Sequence, residues 1–143
     1  MIDANVLLVD DEQDFVQTMV KRLKKRNLTI NYAHSGQEAL DHLADNKGVE
    51  VVILDIKMPG MGGEEALQHI KQKHPLVEVI MLTGHATVAS GIEGMKLGAF
   101  DYLTKPCELD VLLAKVDEAA TKKRRHEEKI VEARIREITS RRV

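Results

Sequence analysis

Acidic, hydroxyl and basic side chains stand directly after short aliphatic runs in this sequence. Asp10 and Asp11 follow the first run, and Asp55 follows a second. Thr83 and Lys105 come at the ends of two later runs. If these runs are parallel strands, their carboxyl ends share the rim of the sheet where ligands of open α/β sheets bind. The sequence therefore predicts that three carboxylates, a hydroxyl and an ammonium group meet at one rim.

The three carboxylates predict a divalent cation. Asp10, Asp11 and Asp55 would repel one another unless a cation lay between them. The turns that carry them contain no His or Cys, and hard oxygen donors favour Mg²⁺, which keeps several waters when bound by one or two carboxylates. Mn²⁺ is the expected substitute.

The same residues are suited to phosphoryl chemistry. A partly hydrated Mg²⁺ would neutralise charge on phosphoryl oxygens, Lys105 would add a second positive contact, and the Thr83 hydroxyl would donate a hydrogen bond. Asp55 would then act as a nucleophile and form an acyl phosphate. Gly60, Gly62 and Gly63 follow Asp55 without the Lys-Ser/Thr ending of a P-loop, so we expect a flexible turn beside the site.

The elements that position these residues follow an alternating pattern. Short β-rich runs alternate with segments of helical period, which predicts an α/β fold with a parallel sheet. Ser35, with Glu38 three residues later, predicts a capping box for the second helix, and Thr87 predicts the cap of the fourth. Pro106 is expected at the start of the last helix. The predicted strands are residues 6–9, 29–33, 51–54, 77–82 and 100–103.

Composition limits the class of protein. A chain of 143 residues with 43% hydrophobic residues is sufficient for one domain with a real core. A single Cys excludes a disulfide framework and predicts a reducing compartment. No apolar run approaches the roughly 20 residues that span a bilayer, and no signal peptide is recognisable. We expect a soluble, cytoplasmic protein that does not enter a membrane.

The last 23 residues differ from the rest in charge. Residues 121–143 contain nine Lys and Arg against four Glu, whereas the whole chain has a net charge of −2. No helix breaker occurs after Glu108, so we expect one long helix whose polar stretch 121–129 leaves the globule. The interspersed Glu residues argue against direct nucleic-acid binding. Val131, Ile135 and Ile138 resume a helical spacing suited to a partner helix.

Four motifs, in their order and spacing, resemble the receiver domain of two-component response regulators over residues 3–120. They are VLLVDDE at 6–12, VVILDIKMPGMGG at 51–63, VIMLTGHA at 79–86 and AFDYLTKP at 99–106. The resemblance implies a flavodoxin-like, doubly wound, five-stranded parallel sheet of order 2-1-3-4-5 with an extended C-terminal helix. It divides the chain into a receiver domain, 1–120, and a basic helical extension or linker, 121–143.

The resemblance also implies roles for the acidic residues. Asp55 would be the phosphoacceptor. Asp11 and Asp55 would coordinate Mg²⁺ with support from Asp10, and the backbone carbonyl of Lys57 would complete the protein ligands. Lys57 and His85 stand at positions that vary among receivers, so we expect them to tune the rate at which water removes the phosphoryl group.

Other roles concern the response to phosphorylation. The resemblance implies that Lys105 contacts the phosphoryl group, that Thr83 moves toward it and that Tyr102 is the aromatic switch. It also implies a cis peptide between Lys105 and Pro106.

The function implied is that of a signalling switch. Asp55 would accept a phosphoryl group from a sensor histidine kinase or a phosphotransfer protein, and the chain would catalyse only its own phosphorylation and dephosphorylation. The last helix would mediate homodimerisation or contact a downstream effector. An aspartyl phosphohydrolase is an alternative, although its usual second Asp is replaced here by Lys57. A flavodoxin-like cofactor carrier is disfavoured by the acidic turn at Asp10, and a phosphorylation-independent interaction module is a further alternative.

Overall fold

The fold is a parallel sheet with helices on both faces. The structure, a computed structural model, describes residues 3–141, so the outermost residues of the two predicted segments, 1–2 and 142–143, lie outside the described residues. Its five strands are parallel, in the order β2-β1-β3-β4-β5. The doubly wound fold predicted from the sequence is therefore confirmed. The elements are β1 (Asn5–Val9), α1 (Gln13–Lys24), β2 (Thr29–Ala33), α2 (Gly36–Asp45), β3 (Val51–Leu54), α3 (Gly63–Lys73), β4 (Glu78–Thr83), α4 (Val88–Lys96), β5 (Asp101–Thr104) and α5 (Leu109–Arg141).

The aliphatic strands separate two hydrophobic layers. Along β1, Leu8 faces the layer built with α1 and α5, and its neighbour Leu7 faces the layer built with α2 and α3. Because side chains alternate along a strand, a strand covered on both faces needs a continuous aliphatic sequence. Burial on both faces holds the inner strands rigidly, so the polar residues that follow them start from fixed positions.

The ends of several elements differ slightly from the sequence prediction. β4 includes Thr83, which pairs with Thr104 of β5. Lys105 N–H donates to the Thr83 carbonyl oxygen at 2.9 Å, which keeps the chain in the sheet register up to Lys105. Helix α5 consequently begins at Leu109, not at Pro106 as predicted. The Lys105–Pro106 peptide is cis, as the resemblance implied.

The helix caps follow the sequence signals with one difference. Thr87 and Ser90 form a reciprocal capping box at α4. At α2 the Ser35 hydroxyl oxygen accepts from Glu38 N–H at 3.1 Å. The Glu38 carboxylate, however, accepts from His34 N–H at 2.7 Å rather than from Ser35 N–H. Glu38 therefore orders His34, the residue before the Ser35 cap, and His34 lies beside Asp10 at the carboxyl ends of the strands.

The polar stretch of α5 stays on the globule longer than the sequence predicted. The Arg124 guanidinium donates to both oxygens of the buried Glu50 carboxylate, at 2.6 and 3.0 Å. Lys122 Nζ lies 3.2 Å from the carboxylate of Glu78, which is also buried. These acids stand at the amino-terminal ends of β3 and β4, where they attract the passing basic residues. Of the helices described within residues 3–141, none is long and apolar enough to cross a membrane.

Candidate functional site

Three carboxylates meet at the carboxyl rim of the sheet. Asp10 follows β1 and Asp55 follows β3, and both are buried, with relative exposures of 1% and 3%. The Asp11 carboxylate is accessible to solvent. One oxygen from each of the three groups lies within 4.8 Å of the others. This all-oxygen donor set fits a hard divalent cation such as Mg²⁺.

The backbone fixes the two buried acids. Asp10 N–H donates to the Ala33 carbonyl oxygen and Asp55 N–H donates to that of Val9, both at 3.1 Å, so each residue continues the ladder of its strand. The Asp55 Oδ1 atom accepts from Ile56 N–H at 2.8 Å. This bond limits rotation of the Asp55 carboxylate.

Lys105 lies over the buried acids. Its Nζ atom is 2.6 Å from Asp10 Oδ2 and 3.9 Å from Asp55 Oδ2. The ammonium also lies 4.0 Å from the centre of the Phe15 ring, a cation–π distance. The Lys105 ammonium group thus lies between the carboxylates of Asp10 and Asp55 and the ring of Phe15.

Burial and neighbouring charges affect the pKa values of Lys105 and Asp10. Burial lowers the pKa of Lys105, but the hydrogen bond to Asp10 and the negative charges of Asp10, Asp55 and Glu12 outweigh burial, so the pKa lies above its ordinary value. Burial raises the pKa of Asp10 despite the bonds from Lys105 and from Glu12 N–H, and the charge of Asp55 raises it further. Lys105 therefore remains a cation at neutral pH.

Gly63 has a role that the sequence analysis did not assign. A Cβ atom there would lie 2.1 Å from the Asp55 carbonyl oxygen and 2.6 Å from Ile56 Cα. Gly63 N–H also donates to the Ile56 carbonyl oxygen at 2.7 Å. The prediction of a flexible turn is therefore wrong at Gly63, which is buried as the first residue of α3 and packs against the backbone of Asp55. The signal available in the sequence was the pair Gly62–Gly63, which stands seven and eight residues after Asp55 at the start of a helical pattern.

Thr83 and the two predicted rate-tuning residues lie around this rim. Thr83 is fully buried at the end of β4, next to the strand that carries Asp55. Its hydroxyl oxygen accepts from His85 N–H at 3.1 Å. The side chains of Lys57 and His85 are exposed. The rim thus has a buried hydroxyl and two exposed residues of basic type.

Tyr102 lies on the α4 side of β5. Its hydroxyl oxygen is 2.5 Å from Ser90 Oγ, and its ring stands against Gly91 and Gly94. Tyr102 also lines an open cleft of about 860 Å³ with residues of α4, among them the 83% exposed Val88. The structure therefore brings Asp10, Asp11, Asp55 and Lys105 together, whereas Tyr102 belongs to a neighbouring surface.

Known proteins are similar to this chain in both sequence and fold. Residues 6–117 match the family described as the response regulator receiver domain. The DNA-binding transcriptional regulator NtrC of Escherichia coli is 38% identical over 114 residues, which cover 80% of this chain and 24% of NtrC. This chain therefore spans about a quarter of the length of that relative.

Solved structures of similar sequence agree. A response regulator receiver domain protein from Clostridium thermocellum superposes with a TM-score of 0.81 at 35% identity, covering 85% of this chain and 97% of that one. A response regulator protein from Burkholderia pseudomallei, with a phosphorylated aspartic acid, a calcium ion and citrate, gives a TM-score of 0.75 at 29% identity, covering 87% and 73% of the two chains. The chain belongs to the response regulator receiver domain family.

Proposed function

We propose that this receiver accepts a phosphoryl group on Asp55 from a phosphohistidine of a sensor histidine kinase or phosphotransfer protein, in a Mg²⁺-dependent reaction in the cytoplasm. The observation that carries the proposal is the meeting of three carboxylates and the Lys105 ammonium at one rim. The similar Burkholderia protein, whose structure has a phosphorylated aspartic acid, supports it.

The chemical step is a transfer between two nucleophiles. A carboxylate oxygen of Asp55 attacks phosphorus, and the new O–P bond forms as the N–P bond of phosphohistidine breaks. The histidine nitrogen keeps the electron pair of that bond and takes up a proton. With acetyl phosphate as donor, the breaking bond is O–P and acetate leaves. The chain catalyses only this step and the later attack of water on the acyl phosphate.

The cation and Lys105 would share the charge of the phosphoryl group. Asp11 and Asp55 would hold Mg²⁺, or Mn²⁺ in its place, with support from Asp10 and the Lys57 backbone carbonyl. The bound cation supplies neutralisation of charge on the phosphoryl oxygens. Lys105, 3.9 Å from Asp55 Oδ2, needs only a small movement to contact a phosphoryl oxygen there.

Thr83 and Tyr102 would couple phosphorylation to a surface. The Thr83 hydroxyl now accepts a bond from His85 N–H and retains its own proton for donation. A phosphoryl oxygen on Asp55 offers it an acceptor. Movement of Thr83 would favour the conformation with Tyr102 turned inward, and would change the surface formed by α4, β5 and α5.

The end of α5 is the proposed contact with a second copy or a downstream effector. Val131, Ile135 and Ile138 are each more than half exposed, at spacings of four and three that place them on one helix face. Lys122 and Arg124 are paired with carboxylates of the globule, which reduces the positive charge free for nucleic acid.

Acetyl phosphate tests the proposal. The full chain is incubated with acetyl phosphate and Mg²⁺, and its intact mass is compared with that of an Asp55→Asn form and of wild type in EDTA. We expect one added phosphoryl group on wild type with Mg²⁺ and none on the other two samples. Equal labelling of wild type and Asp55→Asn would refute Asp55 as the acceptor.

A further inference from the structure

His34 contacts the acidic turn from the neighbouring strand. It follows β2 directly, and its ring Nδ1 atom lies 3.1 Å from the backbone carbonyl oxygen of Asp10. A carbonyl oxygen has no proton to give, so Nδ1 must carry the hydrogen and donate. This assigns the Nδ1–H form of the ring, or the imidazolium, in the folded chain.

The contact holds a peptide bond of the metal site. Asp10 N–H already donates to the Ala33 carbonyl oxygen at 3.1 Å, so Ala33 and His34 bind Asp10 on both sides of its Cα atom. The carbonyl that His34 holds belongs to the planar peptide that joins Asp10 to Asp11. Fixing that plane therefore limits the directions in which the solvent-accessible Asp11 side chain can leave the backbone.

His34 is itself held in place. Its backbone N–H donates to the Glu38 carboxylate at 2.7 Å, and the Tyr32 ring lies 5.2 Å away, centre to centre, at an interplanar angle of 54°. Two independent contacts thus order the residue that orders Asp10. This is the arrangement expected of a group that orients a ligand without touching the ion.

We infer that His34 is a positioning residue for the divalent cation: through the Asp10 carbonyl it sets the orientation of the Asp10–Asp11 peptide and so raises the affinity for Mg²⁺. The inference rests on the proposed magnesium site. Because a single hydrogen bond of this kind contributes modestly in net, its loss should weaken Mg²⁺ binding by about 2- to 10-fold.

The test measures Mg²⁺ binding to the full chain by isothermal titration calorimetry. His34→Ala removes the donor, and His34→Asn keeps an amide N–H near the position of Nδ1. His69→Ala is the matched control, because His69 is a half-exposed histidine of α3 whose contact is Glu65. Thermal unfolding in EDTA measures the stability of each variant without the cation.

We expect the dissociation constant to rise by about 2- to 10-fold for His34→Ala, less for His34→Asn, and not for His69→Ala. In parallel, the Mg²⁺ concentration that gives half the maximal rate with acetyl phosphate should rise, while the rate at saturating Mg²⁺ stays the same. A purely structural role of His34 would lower the stability in EDTA without raising the Mg²⁺ concentration that gives half the maximal rate.

The outcomes separate this inference from the proposed function. If wild type binds Mg²⁺ and His34→Ala binds it equally well, the positioning role is wrong. If His34→Ala does not fold, the His34→Asn variant decides the question. A Mg²⁺ affinity close to that of wild type would support a role for the N–H donor at this position. A loss of Mg²⁺ affinity as large as about 10-fold would contradict that role. Wild type that binds no Mg²⁺ would instead refute the proposed metal site itself.

Discussion

The Arg124 guanidinium, 74 residues along the chain from Glu50, donates two hydrogen bonds to the Glu50 carboxylate at the base of the sheet. Glu50 also accepts from Asn5 N–H at 3.1 Å and is only 7% exposed. The pair ties α5 to the globule one helical turn beyond Ala120, the last residue of the helix in the hydrophobic core.

Removal of the Arg124 charge should therefore destabilise the domain. Arg124→Met leaves a buried carboxylate without its cation, and we expect the free energy of unfolding to fall by about 1–3 kcal/mol, less than for a fully buried pair because Arg124 is partly exposed. Urea unfolding of the full chain measures this. Arg125→Met, an exposed neighbour on the same helix, is the control. An equal effect of the two substitutions would show that the pairing of Arg124 with Glu50 is not the stabilising interaction.

The same pair predicts a pH dependence. Burial raises the pKa of Glu50, but the hydrogen bonds from Arg124 and Asn5 N–H and the nearby positive charges outweigh burial, so the pKa lies below its ordinary value of 4.5. A carboxyl group with a lowered pKa stabilises the fold above its unfolded pKa, and this stability is lost as the pH falls through the folded pKa.

Glu50→Gln isolates this contribution. The difference in free energy of unfolding between wild type and Glu50→Gln should be constant near neutral pH and shrink below about pH 4.5. Urea unfolding at a series of pH values measures it. A difference that stays constant through this range would show that the ionised carboxylate of Glu50 is not the stabilising group.

Gly63→Ala should disturb Asp55, the proposed phosphoacceptor. Its Cβ atom would lie 2.1 Å from the Asp55 carbonyl oxygen, whereas a Cβ atom on Gly62 would be 3.5 Å from that of Ile56, an ordinary contact. We expect Gly63→Ala to cost about 1–3 kcal/mol of stability and to slow labelling by acetyl phosphate. Gly62→Ala is the matched control and should lose much less stability and labelling rate. Equal effects of the two substitutions would show that the close packing of residue 63 against the Asp55 backbone is not the cause.

The residues around the mouth of the site predict an effect on phosphoryl lifetime. Lys57 and His85 are exposed, and His85 N–H donates to the Thr83 hydroxyl oxygen. Lys57→Ala or His85→Ala should change the decay rate of phospho-Asp55 several-fold without loss of labelling. Loss of phosphoryl mass with time measures the decay. Decay at the wild-type rate in both variants would show that neither Lys57 nor His85 controls the phosphoryl lifetime.

The apolar face of α5 predicts self-association or effector binding. Ile135→Glu places a charge in the stripe while leaving Lys122 and Arg124 paired with the globule, as truncation at residue 120 would not. If the stripe joins two copies, sedimentation should show a dimer for the full chain and a monomer for Ile135→Glu. Ala133→Glu, an exposed substitution on the opposite face of the same helix, should sediment like wild type. A wild-type monomer, with and without a phosphoryl mimic, would exclude the homodimer.

The sequence predicted the rim better than the contacts that support it. Strands buried on both faces have a continuous aliphatic pattern, so the residues after them, Asp10 and Asp55, could be placed before the structure was known. The pairing of Arg124 with Glu50 was missed because a polar helical stretch has the same pattern whether water or a distant carboxylate faces it. The contact of His34 with Asp10 was not predicted because its partner is a backbone carbonyl, which no sequence pattern marks.

Asp55 itself is the proposed acceptor of the phosphoryl group. The most direct measurement treats the acetyl phosphate-labelled chain with sodium borohydride, which reduces an acyl phosphate to an alcohol, and identifies the altered residue by peptide mass spectrometry. We expect homoserine at position 55, dependent on both acetyl phosphate and Mg²⁺. Homoserine at position 10 or 11, or unmodified Asp55 in a chain that carries the phosphoryl mass, would contradict it.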